Sequence, residues 1–248
     1  MALREELNDQ GDWLFRWRSY VPLVVAPLVL LAATESESLE QGFGDLADDI
    51  VSFVCLATSF LGLVVRCLTI GYTPKGTSGR NTRNQKAETL NTSGIYSTVR
   101  HPLYLGNFLI YLGLLLATRT WWLVLVGVLL FVVYYERIIF REEEFLRAKF
   151  GAAFLEWADR TPVFWPSLKH RRRSELPFSL RNVLKREYSG FFAIVACFTV
   201  LELGADLLAD GRLELEFDQF LFFAAGLAVY LTLRFLKKKT KLLHVGGR

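Results

Sequence analysis

Cysteine is scarce in this chain of 248 residues, which contains three. Cys55, Cys67 and Cys197 lie singly within apolar segments, far apart in the sequence. That scatter gives no basis for a metal site or a disulfide framework, and we interpret all three as buried thiols. Internal repeats, coiled-coil heptads and long low-complexity tracts are also missing, which excludes repeat and fibrous architectures.

Motifs for nucleic-acid binding are missing as well. The net charge of +4 and the pI near 9.0 would suit a polyanion, but the basic residues are spread between apolar segments. They match no pattern used to read DNA or RNA. We therefore expect a lipid bilayer as the partner of this chain, and no nucleic acid.

Apolar residues are abundant instead, with 52% hydrophobic content and 20 phenylalanines. This composition and the long apolar segments predict an all-α integral membrane protein with about six transmembrane helices. The first segment is short, and a signal peptide is its competitor, but acidic residues before it and two prolines within it favour a short or kinked span. The predicted spans cover residues 20–33, 50–72, 102–118, the segment from residue 121, residues 188–209 and residues 217–235.

The distribution of lysine and arginine predicts how these spans are oriented. Basic residues are concentrated in residues 1–19, 73–101, 137–187 and 234–248, whereas residues 34–49 contain none. Because basic loops are retained on the cytoplasmic side, both termini and the loop before residue 102 are expected in the cytoplasm.

The stretch that organises the chain is Arg100-His101-Pro102-Leu103-Tyr104-Leu105-Gly106. Pro102 is predicted to be the first residue of the third span, where its missing amide proton costs no hydrogen bond. Arg100 and His101 then lie at the membrane surface, beside a helix N-terminus that suits an anionic group. Gly106 leaves one face of the helix bare, which fits either a flat ligand or the packing of a second helix.

A second stretch contains a run of glutamates followed by a glycine, from Glu136 and Arg137 through Arg141, Glu142 and Glu143 to Gly151. The turn at residues 118–120 is so short that the third and fourth spans must form an antiparallel hairpin. The glutamates are therefore expected on the same membrane face as His101. An apolar stripe over residues 145–157 predicts an interfacial helix after the fourth span.

Together the two stretches resemble the isoprenylcysteine carboxyl methyltransferase and phospholipid N-methyltransferase superfamily, whose members carry Arg-His-Pro-x-Tyr-x-Gly and, later, Glu-Glu-x-x-Leu-x-x-x-Phe-Gly. The resemblance covers roughly residues 51–168. It implies an S-adenosylmethionine site at the cytoplasmic face, whose cofactor-binding residues would be Arg100, His101, Pro102, Tyr104, Leu105, Gly106, Glu142 and Glu143. Phe154 and Trp157 stand where the family usually has tyrosines.

The chemistry of the acceptor points to arginine. An ionised phosphate or carboxylate needs no base, so a guanidinium that positions one of its oxygens is the useful catalytic group, and Arg137 and Arg141 lie on one helix face. An amine would have to lose a proton, with Glu136 or His101 as the base. We expect an anionic lipid headgroup, with Arg80 as a substrate-binding residue.

Arg66 is the other expected substrate-binding residue. An arginine inside a membrane span either reaches the near surface or faces the bundle interior, and both positions are open for Arg66. The loop around Arg80 also resembles the bacterial branch that methylates the lipid A 1-phosphate, which implies the bacterial inner membrane. For His101 the plain alternative is a side chain that only caps its turn.

Three regions follow from these patterns: residues 1–49 with the first span, residues 50–168 as the methyltransferase core, and residues 169–248 as a basic linker with two further spans. Two other functions remain open at this point. One is an NADPH-dependent membrane reductase resembling the sterol reductases, although glutamates make poor neighbours for phosphates. The other is a non-enzymatic lipid-binding protein.

Overall fold

A computed structural model describes residues 2–17, 29, 45–74, 87–211 and 216–246. Over these ranges the chain is all-helical, as predicted, and the described residues include one isolated bridge, Gly94–Arg172, but no strand. A short 3₁₀ helix, Ile95–Ser97, precedes the third α-helix. The α-helices are α1 Leu3–Trp17, α2 Asp45–Gly71, α3 Pro102–Ala117, α4 Trp121–Phe150, α5 Ala152–Arg160, α6 Leu180–Asp210 and α7 Phe217–Lys239.

Four of the described helices are long and apolar enough to cross a membrane: Asp49–Gly71 within α2, α4, Leu180–Ala205 within α6, and α7. Helix α3 is apolar but has 16 residues. At 1.5 Å per residue it is about 24 Å long, somewhat short of a hydrocarbon core of about 30 Å. The predicted first span, residues 20–33, lies outside the described residues.

Glycines bring α2 and α3 into backbone contact. A Cβ added to Gly62 would lie 2.4 Å from the carbonyl oxygen of Gly106, and one added to Gly113 would lie 2.4 Å from that of Cys55. Small residues allow membrane helices to approach this closely. The bare face of Gly106 is therefore covered by α2, and the packing interpretation of this glycine describes the structure.

Helices α3 and α4 form the predicted antiparallel hairpin. Its turn, Thr118 to Thr120, has Arg119 at φ 56°, and Leu115 packs with Leu123 next to it. Helix α4 has 30 residues and so is about 45 Å long, which exceeds the thickness of the hydrocarbon core. Its last turns return to the level where α3 begins, and they carry the glutamates.

The apolar stripe over residues 145–157 is divided by a glycine. Helix α4 ends at Phe150, and Gly151 adopts φ 54°, in the region that favours glycine, before α5 begins. The interfacial helix was predicted as one continuous stripe, but the positive φ changes the direction of the chain there. Helix α5 anchors itself through Phe154, which is buried.

The last two helices are attached to the core through α6. Ile194 and Phe198 of α6 share a hydrophobic cluster with Cys55 and Leu63 of α2. Helix α7 packs on α6 at Gly226, where an added Cβ would meet the Val195 side chain at 2.7 Å. Helix α6 is therefore positioned to contribute side chains to the region around α2 and α3.

Candidate functional site

Two backbone hydrogen bonds hold the loop before α3 against the segment that follows α5. The amide of Arg100 donates to the carbonyl of Pro162 at 2.9 Å, and the amide of Ser167 donates to the carbonyl of Thr98 at 2.9 Å. Val99, between them, is fully buried. The chain that follows α5 thus holds Arg100 and His101 in place at the first turn of α3.

Glu143 of α4 joins the two motifs. One of its oxygens accepts a hydrogen bond from Arg100 Nη1 at 2.8 Å, and the other accepts from His101 Nε2 at 2.9 Å. Because a carboxylate only accepts, Nε2 of His101 carries the proton. The His101 side chain makes no capping hydrogen bond to α3, so the structure does not assign it the plain capping role.

Glu142 lies one residue earlier and contacts Tyr104 and His101 of the first motif. Tyr104 donates its hydroxyl proton to Glu142 Oε2 at 2.8 Å, and the same oxygen lies 3.6 Å from His101 Nδ1. The rings of His101 and Tyr104 are stacked at 5.5 Å with an angle of 10°. Two carboxylates, a guanidinium and two parallel rings are thereby gathered at one end of the α3–α4 hairpin.

These carboxylates are only partly enclosed. The side chains of Glu142 and Glu143 are 33% and 22% exposed, whereas that of His101 is 5% exposed. A carboxylate has about four acceptor positions, so each retains capacity for further donors. Within the described residues, the buried Nε of Arg100 has no hydrogen-bond partner. The cluster therefore has both acceptors and a donor available for a polar ligand.

Trp157 of α5 holds the segment that precedes the Arg100–His101 turn. Its indole Nε1 donates to the carbonyl of Tyr96 at 2.9 Å, which ties α5 to the 3₁₀ helix. A tyrosine hydroxyl at this position would offer the same kind of donor, so the tryptophan retains a polar role beside its packing role. Burial, and then the nearby charge of Glu142, raise the pKa of the Tyr96 phenol.

The remaining residues of the first motif start α3 and pack it against its neighbours. Pro102 occupies the first turn of α3, as predicted, and Leu105 is buried. A Cβ on Gly106 would lie 2.5 Å from Arg66 Cγ, so the Arg66 stem lies directly over this glycine.

Arg66 faces the bundle interior. It donates from Nε and Nη2 to the two oxygens of Glu187 on α6, at 2.7 and 2.8 Å, and from Nη1 to Asn107 Oδ1 at 2.5 Å. Asn107 in turn donates to the Tyr135 hydroxyl at 2.8 Å. All three guanidinium nitrogens thus have protein partners. Glu187, Asn107 and Tyr135 were not predicted from the sequence, although an acidic residue near the start of an apolar helix is itself a signal of an intramembrane pair.

Arg137 and Arg141 face α1. Arg141 Nε donates to Asp12 at 2.7 Å, and Arg137 pairs with its neighbour Glu136. A Cβ on Gly11 would lie 2.7 Å from the Arg137 carbonyl, so α1 packs closely on α4 at this level.

Helix α1 lies antiparallel to α4, since Arg4 pairs with Glu144 while Asp12 pairs with Arg141. The sequence did not predict a helix packed against the motif. Arg80 lies outside the described residues. Among the described residues, no group of three or more His, Cys, Asp or Glu side chains is arranged to hold a metal ion.

This geometry defines a class of membrane protein in which an Arg-His-Pro turn is bound to two glutamates near the end of a helix. Residues 52–153 match the phospholipid methyltransferase family. The chain belongs to this family, as the resemblance of its motifs implied. No solved structure matches the chain.

Two curated relatives give a more particular comparison. The cobalt-zinc-cadmium resistance protein CzcN of Cupriavidus metallidurans is 44% identical over 84 residues, which are 34% of this chain and 38% of that protein. The nickel-cobalt-cadmium resistance protein NccN of Alcaligenes xylosoxydans xylosoxydans is 32% identical over 157 residues, which are 63% of this chain and 68% of that protein. The alignments thus cover well under half of the first relative and about two thirds of the second.

Proposed function

We propose that the protein transfers a methyl group from S-adenosylmethionine to an anionic headgroup of a membrane lipid. The observation that carries this proposal is the joining of Arg100 and His101 to Glu142 and Glu143, in a chain of the phospholipid methyltransferase family. When bound, S-adenosylmethionine supplies a methyl group that its sulfonium already activates.

The residues present fit such a cofactor. Glu142 and Glu143 have acceptor positions for its amino group and ribose, and Arg100 has a buried Nε without a partner among the described residues that suits its carboxylate. The parallel rings of His101 and Tyr104 offer an aromatic wall. Pro102, Leu105 and Gly106 set the start of α3 and keep these groups in register.

The acceptor is assigned to Arg137 and Arg141. Each arginine is paired with a carboxylate that is open to solvent, since Glu136 is 67% and Asp12 49% exposed, while Arg137 and Arg141 are 26% and 28% exposed. Exposed pairs contribute about 0.2–1 kcal/mol, so an anionic headgroup can replace the carboxylate partner. An ionised phosphate or carboxylate then needs positioning rather than a base. Arg80, which precedes the motif, is the further acceptor contact that we propose.

Mass spectrometry of membrane lipids tests the class of acceptor. Cells that express the protein should contain a phosphate- or carboxylate-bearing lipid heavier by one methylene, and lipid A phosphate is the specific candidate. The same gain on phosphatidylethanolamine would replace this acceptor with an amine, for which Glu136 or His101 would be the base.

The names of the relatives suggest a physiological consequence. Methyl esterification removes one negative charge from the membrane surface, and a less negative surface attracts fewer cations. In this view the protein raises metal tolerance through the lipid it modifies. Cells with the wild-type protein should grow at higher cadmium concentrations than cells with Glu143→Gln, and equal growth would remove the link to metals while leaving methyl transfer intact.

The location proposed is the bacterial inner membrane, with both termini and the site in the cytoplasm, where a soluble methyl donor is present. Reporter fusions at Lys169 and after the C-terminus should read as cytoplasmic, and fusions at Thr120 and Gly211 as external. A cytoplasmic reading at Thr120 would reverse the hairpin and contradict this orientation.

Calorimetric binding of S-adenosylhomocysteine to the purified protein in detergent tests the use of the cofactor. The wild type should bind, and Glu143→Gln should bind roughly 10- to 100-fold more weakly, because bonds to a charged group contribute about 1.5–3 kcal/mol. Glu156→Gln, on the exposed face of α5, is the matched control. Binding of NADPH instead would favour the reductase, and binding without transfer to any lipid would favour a non-enzymatic protein.

A further inference from the structure

The ion pair between Arg66 and Glu187 joins a helix outside the family match to the candidate site. Glu187 lies on α6, beyond residues 52–153, and its side chain is 3% exposed. Its two oxygens take up two of the three guanidinium nitrogens of Arg66. A buried pair of this kind is a weak source of stability, because removing two charges from water offsets most of their attraction. A role in arranging other side chains accounts better for its presence.

The third guanidinium nitrogen of Arg66 fixes the orientation of the Asn107 side-chain amide. Arg66 has no acceptor, so its Nη1 must face the oxygen of the Asn107 amide, as it does at 2.5 Å. The amide nitrogen of Asn107 is thereby turned to the other side, where it donates to the Tyr135 hydroxyl at 2.8 Å. Tyr135 therefore acts as acceptor towards Asn107, and its own hydroxyl proton is directed elsewhere.

Tyr135 adjoins the cofactor-binding cluster. Its ring lies 4.8 Å from the ring of Tyr104, whose hydroxyl donates to Glu142, and 4.2 Å from the ring of Phe131. If the Asn107 amide were reversed, Tyr135 would have to donate to its oxygen, and the phenol proton would point at Asn107 instead of away from it. The pair on α6 and α2 thus controls the hydrogen-bond polarity of a residue beside Tyr104.

We propose that Glu187 is a positioning residue for methyl transfer, acting through Arg66 and Asn107 to hold Tyr135 against Tyr104, whose hydroxyl donates to the Glu142 carboxylate. The inference rests on the proposed function. It assigns Arg66 to the support of the site, so the acceptor contacts fall to Arg137, Arg141 and Arg80. It also makes α6 a part of the functional core rather than an addition to it.

A double-mutant cycle with S-adenosylhomocysteine binding tests this role. Glu187→Gln keeps the shape of the side chain, removes its charge and should weaken binding about tenfold. Tyr135→Phe should weaken it to a similar extent. If Glu187 acts through Tyr135, the double variant should be little worse than either single variant, because residues in one network do not contribute additively. Full additivity of the two losses would overturn the proposal.

One double variant separates a positioning role of the Arg66–Glu187 pair from a role in stabilising the fold. Arg66→Leu combined with Glu187→Leu removes both charges, so it should unfold at a temperature near that of the wild type and still bind S-adenosylhomocysteine about tenfold more weakly. Wild-type affinity in this double variant would overturn the proposal. So would unchanged affinity together with a raised KM for the lipid, which would place Arg66 on the acceptor.

The wild-type protein and Glu156→Gln serve as references in the same titrations. If neither binds S-adenosylhomocysteine, the proposed function fails and the positioning role fails with it. If both bind and Glu187→Gln binds equally well, only the positioning role fails.

Discussion

Replacing Gly62 by alanine perturbs the closest contact between α2 and α3. The added Cβ would lie 2.4 Å from the Gly106 carbonyl oxygen and 2.7 Å from the Ile110 amide nitrogen. Both neighbours are backbone atoms, so no side chain can rotate away. Since ordinary contact begins at about 3.5 Å, the two helices must separate by about 1 Å.

Two effects follow from that separation. Overpacking of this kind costs about 1–3 kcal/mol of stability. Helix α3 also carries His101 at its start while Glu143 remains on α4, so their hydrogen bond is disturbed. Loss of a hydrogen bond to a charged group costs about 1.5–3 kcal/mol, or roughly 10- to 100-fold in affinity. We therefore expect Gly62→Ala to unfold at a lower temperature and to bind S-adenosylhomocysteine much more weakly.

Thermal unfolding in detergent and calorimetry measure the two effects. Gly204→Ala is the matched control, because a Cβ there has nothing within 4 Å and the glycine is also helical. Alanine favours a helix over glycine by up to about 1 kcal/mol, so this control should be neutral or slightly more stable. If Gly62→Ala behaved like Gly204→Ala in both assays, the close packing of α2 on α3 would be refuted.

Three further changes have defined outcomes. Trp157→Phe removes the donor to the Tyr96 carbonyl and should lower the free energy of unfolding by about 1 kcal/mol in denaturant titrations; no change would contradict the anchoring role. Because the pKa of Tyr96 is raised in the folded state, the wild type should lose stability as pH rises above about 10, and Tyr96→Phe should lose less across that range in thermal unfolding. Asp12→Asn releases Arg141 and should lower the KM for an anionic lipid with little effect on stability, whereas a raised KM would argue against Arg141 as an acceptor contact.

The meeting of the two motifs was predictable from the sequence because it depends on local features. Pro102 marks the start of a helix, and the turn ending at Thr120 is too short for anything but a hairpin. The return of the chain then brings Glu142 and Glu143 to His101 by geometry alone. These steps use spacing along about 40 residues, over which pattern and length determine the outcome.

Contacts between distant segments were not predictable. Glu187 is 121 residues from Arg66, and hydropathy does not indicate which acidic residue meets an intramembrane arginine. The sequence allowed Arg66 either to reach the near surface or to face the bundle interior, and its pairing with Glu187 places it in the interior. The packing of α1 on α4 was equally unpredictable, because it depends on the close approach of Gly11 to the backbone of Arg137. At Gly151 the apolar period continues through a residue whose positive φ interrupts the helix.

Methyl transfer in liposomes shows directly whether the protein methylates an anionic lipid. Purified protein is reconstituted with total bacterial lipid and S-adenosylmethionine labelled in its methyl group, and label is counted in the extracted lipid. We expect label in an anionic lipid with the wild-type protein, and a loss of at least about tenfold with Glu143→Gln but not with Glu156→Gln. No label in lipid with the wild type, or full incorporation by Glu143→Gln, would contradict this expectation.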